Sequence, residues 1–202
     1  MLNQHQTVRD SIANLNRPNP LAPHIVKLIG DKKKVKIADI GAGPLPTIGQ
    51  LLKGVEVTIH RSDNQDFKGF WEKHQVTPAF GIEYQNMEQL SYTDNSFDIV
   101  HSANALDHTR DALAALKELI RVCKPGGYVY IVCNLDQLDT GHKHYWNAKH
   151  DGIFTNYVDS FDLKDFGFKI DFIDNGGESR YNRIIALLKK KSPELHRDEK
   201  QN

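Results

Sequence analysis

Short apolar runs alternate with amphipathic stretches along this chain, and their periods assign its elements. Residues 35–40, VKIADI, form a β-branched apolar run that predicts a first strand. After Gly41-Ala42-Gly43-Pro44 the apolar positions return at Ile48, Leu51 and Leu52, so a tight glycine turn and a helix to about Leu52 are expected, with Gly54 as its C-cap. Residues 55–60 read as a second strand leading to Asp63, residues 80–85 as a third, and the turn signal Thr93-Asp94-Asn95-Ser96 precedes a fourth from Phe97. Leu113, Leu116, Leu119 and Ile120 then share one helical face until Lys124-Pro125-Gly126-Gly127 stops the helix, and YVYIVC follows as a fifth strand. A short helix at 160–166 and strands at 168–173 and 182–188, joined by a turn at 174–178, complete the pattern.

Strand and helix alternating four times imply a parallel sheet with helices on both faces, because parallel neighbours need a crossover. The fold class is therefore α/β. The last two strands lack an intervening helix and should pair antiparallel.

Length and charge narrow the function. With 202 residues one domain is expected, burying roughly 70% of the unfolded surface. Residues 1–30 read as an N-terminal helical cap, 31–188 as the main domain with a polar, aromatic, histidine-rich loop at 134–156, and 189–202 as a disordered tail. Basic and acidic residues balance at 26 each, so no global field recruits nucleic acid or an anionic membrane. The apolar runs at 128–133 and 184–188 are far shorter than the ~20 residues a bilayer span needs. The N-terminus lacks the pattern of a secretory signal and there are only two cysteines, Cys123 and Cys133, which points to the cytoplasm and to structural thiols. His24 and Arg17 are read as cap residues on a solvated surface.

The glycine turn is the natural ligand site, since glycine lets a ligand approach the backbone and the crevice lies beyond the strand ends. A dinucleotide fingerprint would need glycine at 46, where this chain has Pro46, so a nicotinamide oxidoreductase is disfavoured. Asp63 stands some twenty residues beyond the glycines, where a carboxylate can accept from a ribose diol. Candidate general bases are Asp107 and His108 after the fourth strand and His142 and His144 after the fifth. Tyr145, Trp146 and Phe154 suit either the wall of an acceptor pocket or a hydrophobic plug. Asp136, Asp139, His142 and His144 match no compact metal-ligand spacing, and no metal is expected.

In order, ADIGAG, Asp63, SYTDNSFDIV and DALAALKELIRVCKPGGYVYI make the chain resemble the class I S-adenosylmethionine-dependent methyltransferases, especially the small type 11 branch. The match covers residues 35–133 well and 160–188 more loosely. The resemblance implies a Rossmann-like, doubly wound seven-stranded sheet of order 3-2-1-4-5-7-6 with strand seven antiparallel. It implies S-adenosyl-L-methionine as cofactor, held by Asp39, Gly41, Ala42, Gly43, Asp63, Asn64, Asn86, Met87, Ser102 and Ala103. Leu45 stands where the family often has a third glycine, and Asn86 where it often has an aspartate. The expected reaction moves a methyl group by in-line displacement to a hydroxyl or amine of a small-molecule acceptor. Alternatives are a noncatalytic cofactor-binding or interaction protein of the same fold, or a methyltransferase acting on protein or RNA. The sequence leaves the oligomeric state open.

Overall fold

The computed structural model describes residues 12, 15, 18–136, 144–173 and 182–192. The expected turn at 174–178, His142 and the stretch 193–202 lie outside these residues. Helix α1 spans Pro23–Ile29, followed by strand β1 at Lys34–Ile40, β2 at Glu56–Asp63, helix α2 at Lys68–Lys73 and β3 at Glu83–Tyr84. Strand β4 spans Phe97–Ala103, a 3-10 turn Leu106–His108, helix α3 Ala112–Val122 and β5 Cys123–Asn134. Short strands β6 at Asn147–Ala148, β7 at Ile153–Thr155 and β8 at Ser160–Asp162 precede β9 at Lys169–Ile173 and β10 at Arg183–Lys189.

The main sheet runs β3-β2-β1-β4-β5-β10-β9. With β9 and β10 as its sixth and seventh strands, this is the order the resemblance implies. Strand β10 is antiparallel to both β5 and β9, while β1 is parallel to β2 and β4. Side chains alternate across each strand, so the sheet has two cores. Val35, Ile37 and Ile99 face α1 together with Ile25, Ile29 and Ile48. Ala38, Ile40 and Val100 face α3, whose Ala112, Ala115, Leu116, Leu119 and Val122 are fully buried. Helices thus cover both faces. Burying a leucine such as Leu116 or Leu119 contributes about 1.5–3 kcal/mol. Asp111 caps α3, its carboxylate accepting from Ala114 N at 2.8 Å.

Several elements depart from the periodicity. No helix forms at 44–52: the chain there is a series of bends. Pro44 and Pro46 remove two N–H donors and disfavour the α region at the residues before them. Gly49 sits at φ +73°, where a side chain would run into the Pro20 carbonyl. The segment instead bonds to the chain before α1, through Ala22 N to Ile48 O at 2.8 Å and Gln50 N to Asn19 O at 2.7 Å. The third strand shrinks to two residues, and 160–166 is strand β8 followed by a 3-10 turn at Leu163–Phe166 rather than a helix. Part of the loop at 134–156 is ordered as β6 and β7, which pair antiparallel in a small sheet completed by β8. The end of β10 belongs to the fold: Lys190 Nζ donates to Cys123 O at 2.7 Å and Ile120 O at 2.9 Å. Both cysteines are buried and unbridged, and burial pushes the Cys123 thiol up to about 12.

Candidate functional site

The glycine turn leaves β1 with few free donors. Gly41 N and Ala42 N both donate to Ser62 O, at 2.8 and 3.0 Å, and Gly43 N donates to the Asp63 carboxylate at 3.0 Å. Prolines follow at 44 and 46, and Trp71 Nε1 braces the Pro44 carbonyl at 3.1 Å. The expected fan of N–H groups at a helix start is therefore absent, which suits a ligand without phosphate better than a dinucleotide. Gly41, at φ +71°, packs under the other wall of the crevice: a Cβ there would collide with Ala105 and lie 3.2 Å from the Met87 methyl. Gly43, at φ +63°, faces open space.

Asp63 closes β2 beside this turn, with its second oxygen accepting from Gln65 N at 3.1 Å. Burial raises its carboxyl above the usual aspartate range, against the pull of the Gly43, Gln65 and Asn64 N–H groups and of the nearby His108 charge. Asn64 is exposed. Asn86 accepts from Glu88 N at 3.1 Å, forming a local turn that fixes the buried Met87. Ser102 and Ala103 end β4, and the Ser102 hydroxyl is buried with no hydrogen-bond partner.

Asp39 opens a feature that sequence reasoning missed. The register aligns Arg61, Asp39, His101 and Tyr130 across β2, β1, β4 and β5. Arg61, Asp39 and His101 are at most 5% exposed. His101 Nδ1 and Asp39 Oδ1 are 2.8 Å apart, and an Arg61 Nη donates to Gly49 O at 2.8 Å. His24 of α1 stacks on Tyr130 with centroids 4.7 Å apart, so it is part of this layer rather than of a solvated surface. The available signal was a charged or imidazole side chain one or two places before the end of each of three strands. On the outer side of the turn Leu45 lines a cavity of about 280 Å3 with Pro46, Gln50, Arg61 and Phe80.

Three of the four acceptor-side candidates come together. Tyr145 N and Trp146 N both donate to the Asp107 carbonyl, at 2.9 and 3.1 Å, and Trp146 Nε1 donates to Arg110 O at 3.1 Å. These bonds fasten the segment after β5 onto the 3-10 turn after β4. His144 Nδ1 consequently lies 2.6 Å from Asp107 Oδ2, with side chains 8% and 2% exposed. The His108 ring packs on the His144 ring at 4.1 Å between centroids. Trp146 and Phe154 are buried in the core and so take the role of a plug, while Tyr145 remains exposed.

The sheet order, the glycine turn poor in donors and the carboxylate at the end of β2 are those of the fold that class I S-adenosylmethionine-dependent methyltransferases share. Residues 38–131 match the family described as "Methyltransferase domain". That segment, just under half of the chain, is similar to this family in its type 11 branch. A sterol 24-C-methyltransferase of Aspergillus fumigatus is 26% identical over 109 residues, covering 52% of this chain and 29% of that protein. An uncharacterized methyltransferase of Schizosaccharomyces pombe is 29% identical over 130 residues, covering 55% of this chain and 44% of its own length. The chain thus spans less than half the length of these relatives. A solved SAM-dependent methyltransferase from Methanosarcina mazei superposes with a TM-score of 0.52 at 18% identity, over 86% of this chain and all of that one. The cofactor of such a domain is S-adenosylmethionine, and the residues present fit it: open space beside Gly43, the Asp63 carboxylate, and no phosphate cradle. No helix among the described residues is long and apolar enough to cross a membrane.

Proposed function

We propose that this protein transfers a methyl group from S-adenosylmethionine to a hydroxyl or amine of a small-molecule acceptor. The observation that carries this reading is the Asp107–His144 pair, fastened beside the crevice that Gly41, Asp63 and Met87 enclose. Asp63 would take the ribose hydroxyls, Met87 the adenine side, and Gly41, Ala42 and Gly43 the methionine and ribose portions, with Asp39, Asn64, Asn86, Ser102 and Ala103 completing the surround. Bound there, S-adenosylmethionine supplies a sulfonium-activated methyl group that needs alignment more than further activation.

Proton handling falls to the chain itself. A carboxylate bonded to Nδ1 fixes the imidazole tautomer and leaves the opposite nitrogen as an acceptor, so His144 is placed to take the proton a hydroxyl or amine gives up. Asp107 is the positioning residue, and His108 backs the ring. A sterol methyltransferase among the relatives supports a small-molecule acceptor, as does the balanced charge of the chain. The protein is read as cytoplasmic, with residues 1–30 as the cap and 134–156 as the acceptor segment.

The test is calorimetric titration with S-adenosylhomocysteine, followed by methyl transfer to a panel of hydroxyl- and amine-bearing metabolites. Binding by the wild type, loss of affinity in Asp63→Ala, and loss of turnover but not of binding in His144→Ala are expected. Absence of wild-type binding sinks the reading. Binding without transfer to any acceptor favours a noncatalytic cofactor-binding protein.

A further inference from the structure

We infer that Asp107, His108 and His144 form a site for one divalent transition-metal ion, an inference that rests on the acceptor-side reading of this crevice. The three residues come from two segments distant in sequence, and one donor atom from each lies within 4.8 Å of the others. Two imidazoles and one carboxylate form a donor set suited to Fe2+, Co2+ or Zn2+, and three protein ligands leave coordination positions open.

Two features favour an ion over a bare proton-transfer pair. Asp107 is 1% exposed, yet its Oδ1 has no hydrogen-bond partner. A buried carboxylate oxygen without a donor is costly, and a cation removes that cost. The second feature is the His108 ring, tilted against His144 with centroids 4.1 Å apart. An Asp–His pair needs a single imidazole, and two adjacent imidazolium rings would repel one another. A metal uses both as neutral ligands. Donors about 2.1 Å from one tetrahedral ion lie about 3.4 Å apart, so the widest of these spacings, at most 4.8 Å, closes by up to about 1.4 Å on binding.

The ion takes the place of the direct contact between His144 Nδ1 and Asp107 Oδ2, which lie 2.6 Å apart. Coordination positions that the three protein ligands leave open would take one or two acceptor oxygens, so the preferred substrates are those with adjacent oxygen donors. In this state orientation and acidification of the hydroxyl come from the ion, and His144 is a ligand instead of a free base.

The probe is Co2+, followed by its visible absorption in full-length protein stripped with a chelator, with Zn2+ as competitor. One Co2+ per chain is expected, displaced by Zn2+, with affinity lowered roughly 100-fold or more in His108→Asn and in His144→Ala. S-adenosylhomocysteine affinity should stay within about threefold of wild type in both variants, which excludes misfolding as the cause. Wild-type protein that binds S-adenosylhomocysteine but neither metal overturns the metal site and leaves His144 as the base. Co2+ binding that survives both substitutions overturns it equally. Metal binding without S-adenosylhomocysteine binding upholds the site and removes the methyltransferase reading.

Discussion

Gly41 and Gly43 are two residues apart, share a left-handed backbone and should respond differently to the same substitution. An L-residue at such a φ costs about 1–2 kcal/mol, and this applies to Gly41→Ala and Gly43→Ala alike, at φ +71° and +63°. At Gly41 the new methyl also meets the Ala105 Cβ, which cannot rotate away, and the Met87 methyl at 3.2 Å. Overpacking of this kind adds about 1–3 kcal/mol. The sum is about 2–5 kcal/mol for Gly41→Ala against about 1–2 kcal/mol for Gly43→Ala. At about 2–4 °C per kcal/mol for a chain of this size, the Tm difference between the variants should be several degrees. Urea unfolding at a common m-value measures the free energies directly. Gly43→Ala places its methyl in the open space beside the turn, so its S-adenosylhomocysteine affinity should fall further than its stability suggests. Equal stability losses, within about 0.5 kcal/mol, would refute the close approach of Ala105 to the turn. Unchanged affinity in Gly43→Ala would refute the placement of the ligand.

Other groups give sharper pH signatures. Arg121 grips Glu118 at 2.6 and 2.7 Å and also bonds Asp94, Tyr92 O and Leu90 O, so Arg121→Lys should lose the fork and about 1–2 kcal/mol in urea unfolding, discounted for partial exposure. Those bonds hold the Glu118 carboxyl below its usual value, so its stabilisation is present above about pH 4.3 and lost as pH falls through the folded value. Arg121→Lys should flatten that acid limb. Burial, with His101 second, depresses the His24 imidazole, so the unfolded chain takes up the proton first as pH drops below about 6.5. Stability should then decline toward the folded value, and His24→Phe should abolish the decline while keeping the stack on Tyr130. Asp63 shifts the other way, so S-adenosylhomocysteine affinity should begin to fall at a higher pH than an ordinary aspartate would give, and Asp63→Asn should remove that dependence.

What the sequence made legible follows from which interactions are local. Strand β1, Asp63 and helix α3 were readable because alternation, a fixed offset and a 3.6-residue period are properties of neighbouring positions. The segment 44–52 misled for the opposite reason. Its apolar spacing is helical, but two prolines and the Pro20 carbonyl against Gly49 decide its course, and the second of these comes from a distant part of the chain. The Arg61–Asp39–His101–Tyr130 row exists only once four strands are in register, since nothing within one strand says which residues of the others will stand beside it.

The acceptor side shows the same division. His108 and His144 were separate candidates because nothing in their spacing joins them, and the metal grouping weighed within 136–144 drew on sequence neighbours. The backbone bonds from Tyr145 and Trp146 to the Asp107 carbonyl join them instead. Trp146, with its ring in the core and its indole N–H on Arg110 O, anchors the segment that carries His144. A residue weighed as part of a pocket wall therefore sets where the His144 imidazole stands relative to the buried Asp107 carboxylate.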